Sequence, residues 1–170
     1  MAGIYIHVPF CASRCIYCAF YTTTTLSSQD RLVQALCSEL AMRRDYLLDK
    51  ASPSSAITID TIYFGGGTPS QLSEQNLQRL FDTLYNKEYN KGQQVPAFHI
   101  APDAEVTIEC NPDDITPQFA QAISRLPVNR ISMGVQTFSD ERLTFLRRRH
   151  KATDIAPAIE RLRQVGINNI

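Results

Sequence analysis

Tyr5-Ile6-His7-Val8-Pro9-Phe10-Cys11-Ala12-Ser13-Arg14-Cys15-Ile16-Tyr17-Cys18 puts three cysteines, spaced C-x3-C-x2-C, directly after a β-rich run. Three thiolates can hold three irons of a cubane cluster. The fourth iron is then free of protein ligands, whereas ferredoxin clusters use four cysteines. Such a loop reserves an iron for a small molecule. Pro9 resists helix formation at the exit from the strand. Three other readings compete. One is a zinc site completed by His7 or another histidine; structural zinc loops, however, place a second ligand pair downstream, and none follows here. Another is a set of core thiols, which fits a strand-to-loop exit poorly. The last is disulfide pairing.

Working outward, the 170 residues are 44 % apolar, with zero formal net charge and five cysteines. That composition supports one core. Neutral charge gives no reason to expect nucleic acid as a partner. No run approaches a membrane span, and no leader pattern opens the chain. An odd cysteine count without such a leader disfavours disulfides and suggests a reducing, cytoplasmic setting.

Strand and helix signals alternate. Gly3 to Val8 reads as a strand. Ser27 or Ser28 starts a helix with apolar positions Leu32, Val33, Leu36, Cys37 and Leu40. Thr58 to Phe64 reads as a strand stopped by Gly65-Gly66-Gly67. Ser73 caps a helix with Leu77, Leu80, Phe81 and Leu84 on one stripe. Residues 92–103 read as a surface loop, and Glu105 to Glu109 as a third strand. Thr116-Pro117 opens a short helix. Arg130 to Val135 is a fourth strand. Ser139 and Thr153 cap two more helices, the second ending at Gly166, and Ile167 to Ile170 begins a fifth strand. Strands separated by helices predict an α/β fold with a parallel sheet. About four βα units and the start of a fifth strand predict the N-terminal part of a larger domain.

Four further stretches carry candidate chemistry. Phe64-Gly65-Gly66-Gly67-Thr68-Pro69-Ser70 lies at the C-terminal end of a strand, where parallel α/β folds place ligands. Glycines there let backbone N–H groups approach a ligand; a simple turn explains the run about equally well. Glu109, in Val106-Thr107-Ile108-Glu109-Cys110-Asn111-Pro112, is delivered to the same sheet end. It suits a ribose diol, or else an ion pair with an arginine. Gln136, in Arg130-Ile131-Ser132-Met133-Gly134-Val135-Gln136-Thr137-Phe138, can line a ligand or order its loop. Arg147-Arg148-Arg149-His150 reads on its own as a solvated helix face. Cys37 reads as core filling, and Cys110 as packing or site lining.

These motifs, in this order, resemble the radical S-adenosylmethionine (radical SAM) superfamily. The flanking residues Tyr5 to Cys11, Phe64 to Ser70, Glu109 to Pro112 and Ser132 to Phe138 resemble its oxygen-independent coproporphyrinogen III oxidase-like subfamily. The resemblance covers essentially the whole chain. It implies a partial (β/α)6 barrel in which Cys11, Cys15 and Cys18 hold a [4Fe-4S] cluster. S-adenosylmethionine would bind the unique iron and undergo reductive cleavage. Gly66, Gly67 and Thr68 would line its methionine end, Glu109 would hold the ribose, and Tyr5 and Tyr17 would flank it. Gln136 and Arg148 match positions lining a second ligand region. Two features narrow the branch. The oxidases carry another cysteine where this chain has Phe20, and a long arm before the first strand. Both departures resemble the HemW-type branch, regarded as haem chaperones. That branch implies haem or porphyrin as ligand and a haem-acceptor protein as partner. The alternatives are a coproporphyrinogen oxidase acting in porphyrin biosynthesis and a structural zinc module.

Overall fold

The computed structural model describes residues 2–43, 46, 58–85 and 98–170. Four strands, β1 (Ala2–Val8), β2 (Ile59–Gly66), β3 (Ile100–Cys110) and β4 (Arg130–Met133), pair in sequence order, every pair parallel. The helices are α1 (Gln29–Arg43), α2 (Glu74–Tyr85), α3 (Pro117–Ile123), α4 (Asp140–Phe145) and α5 (Ala152–Gln164). This is the expected α/β alternation. A fifth strand begins beside β4: Asn169 bridges Arg130, and the Ile131 N–H donates to the Asn169 carbonyl at 2.9 Å.

The period-two alternation of the strands sorts the sheet into two unlike faces. Ile6, Val8, Ile62, Phe64, Val106, Ile108 and Ile131 are buried on one face. They form one core with Val33 and Leu40 of α1, Leu77, Leu80, Phe81 and Leu84 of α2, Ile123 of α3, and Ala158 and Leu162 of α5. The helical stripes read from spacing are therefore the buried ones, with Leu32, Leu36 and Cys37 packed at the margin. The other face is polar and aromatic. Tyr5 pairs with Tyr63, Tyr63 with Thr107, Thr107 with Arg130, and Glu109 with Ser132. Parallel strands normally read as continuous apolar runs because both faces are covered. Here polar residues alternate in, so this face lines functional space.

The caps at Ser73, Thr116 and Ser139 form as expected, accepting from the N–H groups of Asn76 (3.2 Å), Phe119 (3.1 Å) and Arg142 (3.4 Å). Several boundaries differ. Leu26–Ser28 is a 3₁₀ turn, and α1 starts at Gln29. The Ser28 hydroxyl donates back to the Thr25 carbonyl at 2.9 Å, so it caps nothing. β2 runs two residues into the glycines, because Gly65 and Gly66 pair with His7 and Val8. β3 starts at Ile100, inside the stretch read as a loop; residues 92–97 of that stretch lie outside the described residues. A register shift between Ile59 and Thr61 admits the early start and leaves Pro102 and Asp103 exposed. β4 stops at Met133. The Val135 N–H turns back to the Met133 carbonyl (2.9 Å), and Gln136 takes a positive φ of 63°. Thr153 lies inside α5; the helix is capped instead by Asp154, which accepts from the Lys151 N–H at 2.7 Å. Among the described residues no helix is long and apolar enough to cross a membrane.

Candidate functional site

The cysteine loop leaves β1 and is pinned at its neck. Phe10, 1 % exposed, bridges Thr23; the Cys11 N–H donates to the Thr23 carbonyl (3.0 Å), and the Thr23 N–H to the Pro9 carbonyl (2.8 Å). The loop therefore rests on a buried anchor. Its three cysteines are half-buried free thiols, and all three line one cavity of about 560 Å³. Gly66, Gly67, Thr68, Glu109, Gln136 and Arg148 line the same cavity. Segments far apart in sequence thus meet at the C-terminal end of the sheet, as the parallel topology requires.

Close contacts knit the wall. The Cys11 Sγ and the Thr68 Oγ1 lie 3.5 Å apart, and the Asn111 Nδ2 reaches the same Thr68 oxygen at 3.5 Å. Arg148 Nη2 donates to Asn111 Oδ1 and to the Gly134 carbonyl, both at 2.6 Å. Arg148 Nη1 donates to the Cys15 Sγ at 3.6 Å. A chain of contacts therefore runs Cys11–Thr68–Asn111–Arg148–Cys15. Burial raises the Cys11 thiol pKa, Thr68 partly offsets it, and Cys18, Cys15 and Asp114 raise it further. Tyr17 also sits in this group: burial raises its hydroxyl pKa, Arg148 lowers it and Cys15 raises it.

Glu109 is oriented before any ligand arrives. Tyr63 Oη donates to its Oε1 at 2.7 Å, and the Gly66 N–H to its Oε2 at 3.1 Å. Tyr63 stacks on Tyr5 with centroids 6.1 Å apart, and the Tyr5 hydroxyl bonds His7 Nδ1 at 3.0 Å. Tyr5 is not on the cavity wall. It belongs to the adjoining open face, and its pKa is raised by burial and then by the Glu109 charge. His7 is likewise off the wall. Among the described residues no three His, Cys, Asp or Glu side chains, the loop cysteines included, converge on a single ion. Cys110 is 3 % exposed, belongs to the core and also borders the cavity, with its sulfur donating to the Ile108 carbonyl at 3.9 Å, so it is both packing and site lining. Cys37 packs beside the core, as expected.

The arginine run is not a solvated helix face. α4 ends at Phe145, Arg147 takes a φ of 57°, and the next residues turn inward. Arg149 Nη2 contacts Asp113 and Asp114, each at 2.6 Å. Asp114 also accepts from the Ser70 hydroxyl (2.7 Å) and Gln71 Nε2 (2.6 Å). Burial and Asp114 raise the Asp113 pKa, against Arg149. His150 is 2 % exposed; burial and then Arg148 lower its pKa.

Sequence reading assigned no role to Asn111, Tyr63 or Gly134. Asn111 stood within the quoted Glu109-Cys110-Asn111-Pro112 stretch, and Tyr63 alternates onto the face that carries Tyr5. Gly134 likewise stood within the quoted Arg130 to Phe138 stretch, and a Cβ there would lie 3.1 Å from both Arg148 Nη2 and Asn111 Oδ1.

Gly67 explains how the loop seats on the sheet. Its N–H donates to the Val8 carbonyl at 2.8 Å, and a Cβ would lie 2.8 Å from the Pro9 carbonyl carbon and the Phe10 oxygen. Backbone cannot swing aside as a side chain does. Gly67→Ala is expected to cost about 1–3 kcal/mol and to lower the iron bound per chain. Urea unfolding and iron analysis check it; wild-type values for both would contradict this packing.

Against known proteins, a radical SAM superfamily profile matches residues 5–170. The chain is 33 % identical over 171 residues to the heme chaperone HemW of Bacillus subtilis (strain 168), covering 100 % of this chain and 41 % of that protein. It is 37 % identical over 160 residues to the heme chaperone HemW of Mycobacterium tuberculosis (strain CDC 1551 / Oshkosh), covering 92 % and 37 %. Among solved structures it is similar to coproporphyrinogen III oxidase (HemN) from Escherichia coli, with a TM-score of 0.78, 26 % identity, and coverage of 98 % of this chain and 35 % of that one. The chain spans about two fifths of the length of these curated relatives.

A radical SAM family implies a [4Fe-4S] cluster and S-adenosylmethionine. The donor set fits the cluster: three half-buried free thiols from one short loop line a single cavity, while Cys110, which also borders it, is 3 % exposed. Ligation would draw the proton from a thiol that burial otherwise keeps protonated. From the profile match and the fold, the chain belongs to the radical SAM superfamily.

Proposed function

We propose that this chain is the N-terminal part of the radical SAM core of a haem chaperone, in which Cys11, Cys15 and Cys18 hold the cluster. The observation that carries this reading is one cavity lined by three free thiols together with Gly66, Gly67, Thr68 and the pre-oriented Glu109. The names of the similar HemW proteins supply the haem. When bound, the cluster and S-adenosylmethionine would supply an electron and a carbon-centred radical. The chain's own residues bind and orient. Gly66, Gly67 and Thr68 line the methionine end, Glu109 accepts from the ribose, Tyr17 closes the cluster side, and Tyr5 acts through the Tyr63–Glu109 contact. Gln136 and Arg148 line the second ligand region. Haem would then pass to an acceptor protein.

The anaerobically reconstituted full-length protein tests the reading. Four irons per chain with stable haem binding and no turnover of coproporphyrinogen support it. Zinc in place of iron, or conversion of coproporphyrinogen to protoporphyrinogen, would overturn it. The second outcome would favour the oxidase reading that the HemN likeness supports. Phe20 weighs against that reading, since it stands where the oxidases carry a further cysteine.

Glu109 gives a sharper test. Its two oxygens accept from two donors, Tyr63 Oη and the Gly66 N–H. Glutamine keeps only one acceptor and turns an NH₂ toward the other donor. Glu109→Gln is expected to weaken S-adenosylmethionine binding about tenfold while the iron content holds. Calorimetric titration with S-adenosylmethionine reads this; equal affinity in the two proteins would remove the ribose role.

A further inference from the structure

We propose that Arg14 and Arg147 form a carboxylate clamp at the mouth of the cavity, built to take the propionate groups of a tetrapyrrole. The proposal rests on the haem reading above and names how that ligand would be gripped. Four arginines line the cavity: Arg14, Arg147, Arg148 and Arg149. Two are committed within the protein. Arg149 is neutralised by Asp113 and Asp114, and Arg148 is held by Asn111, the Gly134 carbonyl and Cys15. Arg14 and Arg147 make no side-chain hydrogen bond or ion pair among the described residues, and both are exposed. In a chain of zero net charge, two unpaired guanidinium groups on one cavity wall are a local excess, not a general basic character.

The fold brings the two together. Arg14 directly precedes Cys15, and Arg147 directly precedes Arg148. The 3.6 Å contact between Arg148 Nη1 and Cys15 Sγ joins the two segments that carry Arg14 and Arg147, and both residues line the cavity there. At φ 57° Arg147 is the left-handed residue that closes α4: its N–H donates to the Thr144 carbonyl at 3.0 Å, and the Arg148 N–H to the Leu143 carbonyl at 2.9 Å.

The neighbouring wall suits the rest of such a ligand. Phe20, 68 % exposed, and Tyr17, 48 % exposed, line the same cavity. Aromatic surface beside two planar forks matches a flat apolar ring edged with carboxylates. Guanidinium forks bind carboxylates through paired, charge-assisted hydrogen bonds.

The test uses the full-length protein, titrated with haem and with haem dimethyl ester and followed by difference absorbance of the porphyrin. Arg147→Asn suits the left-handed backbone and is expected to leave thermal stability at or above wild type; Arg14→Gln lies on an exposed loop. Each substitution is expected to raise the haem Kd about tenfold, and the double variant to raise it further. The ester, lacking carboxylates, is expected to bind more weakly than haem and to be indifferent to either substitution. Wild-type haem affinity in the double variant would overturn the clamp and leave the haem reading standing. So would equal affinity for haem and ester in the unaltered protein. Failure of that protein to bind either porphyrin would overturn both.

Discussion

Anaerobic reconstitution of Cys15→Ser is expected to yield protein without its iron centre. Cluster ligation needs thiolates, and a serine hydroxyl is a harder, far less acidic donor. Two remaining cysteines would then face three irons. The Cys15 sulfur also receives Arg148 Nη1 at 3.6 Å, so the substitution alters that contact while Asn111 and the Gly134 carbonyl still hold the arginine. Iron and sulfide per chain should fall to near background, and the visible cluster absorbance should vanish. Cys37→Ser is the control. Its sulfur lies on α1, 3.9 Å from the Arg79 carbonyl, and should leave iron content unchanged. Wild-type iron and sulfide in Cys15→Ser would remove that residue from the ligand set.

Phe64→Ala should destabilise the fold by about 3–5 kcal/mol, the range for emptying a large buried aromatic site. Phe64 is fully buried in the middle of the sheet, with its ring centroid 5.0 Å from that of Phe81 on α2. It is also the last core residue before Gly65-Gly66-Gly67, and its packing fixes where the glycines emerge. The variant should show a lower urea midpoint, and its apoprotein should bind S-adenosylmethionine less well. A loss under about 1 kcal/mol would mean that the core closes over the gap. A truncation at exposed Phe145 should cost little by comparison.

The glycine segment shows how sequence and tertiary readings divide. Its position at a strand end follows from the β-rich run before it. That β2 continues through Gly66 does not, because β1 supplies the partners. The glycines are also close-packed for reasons no local pattern reveals: a Cβ on Gly66 would come within 2.7 Å of the His7 ring, and one on Gly67 would meet the Pro9–Phe10 backbone. Arg147 to His150 divides differently. Four polar residues after an amphipathic stretch look like a solvated face. α4 stops early, and the run instead supplies a thiol contact, an acidic-pair contact and a buried histidine.

Sequence alone determined the features that depend on neighbours along the chain. The cysteine spacing fits one cluster because the thiols lie on a single short loop. Strand and helix periods identify the buried faces because each element repeats its own geometry. Only the tertiary structure decided what crosses the cavity. The path from Cys11 through Thr68, Asn111 and Arg148 to Cys15 joins residues up to 133 positions apart, and a parallel sheet brings them to one edge. The same closure selects which of the four cavity arginines find partners among the described residues and which two do not. Pairing of charges is a property of distance in space, which sequence separation does not encode.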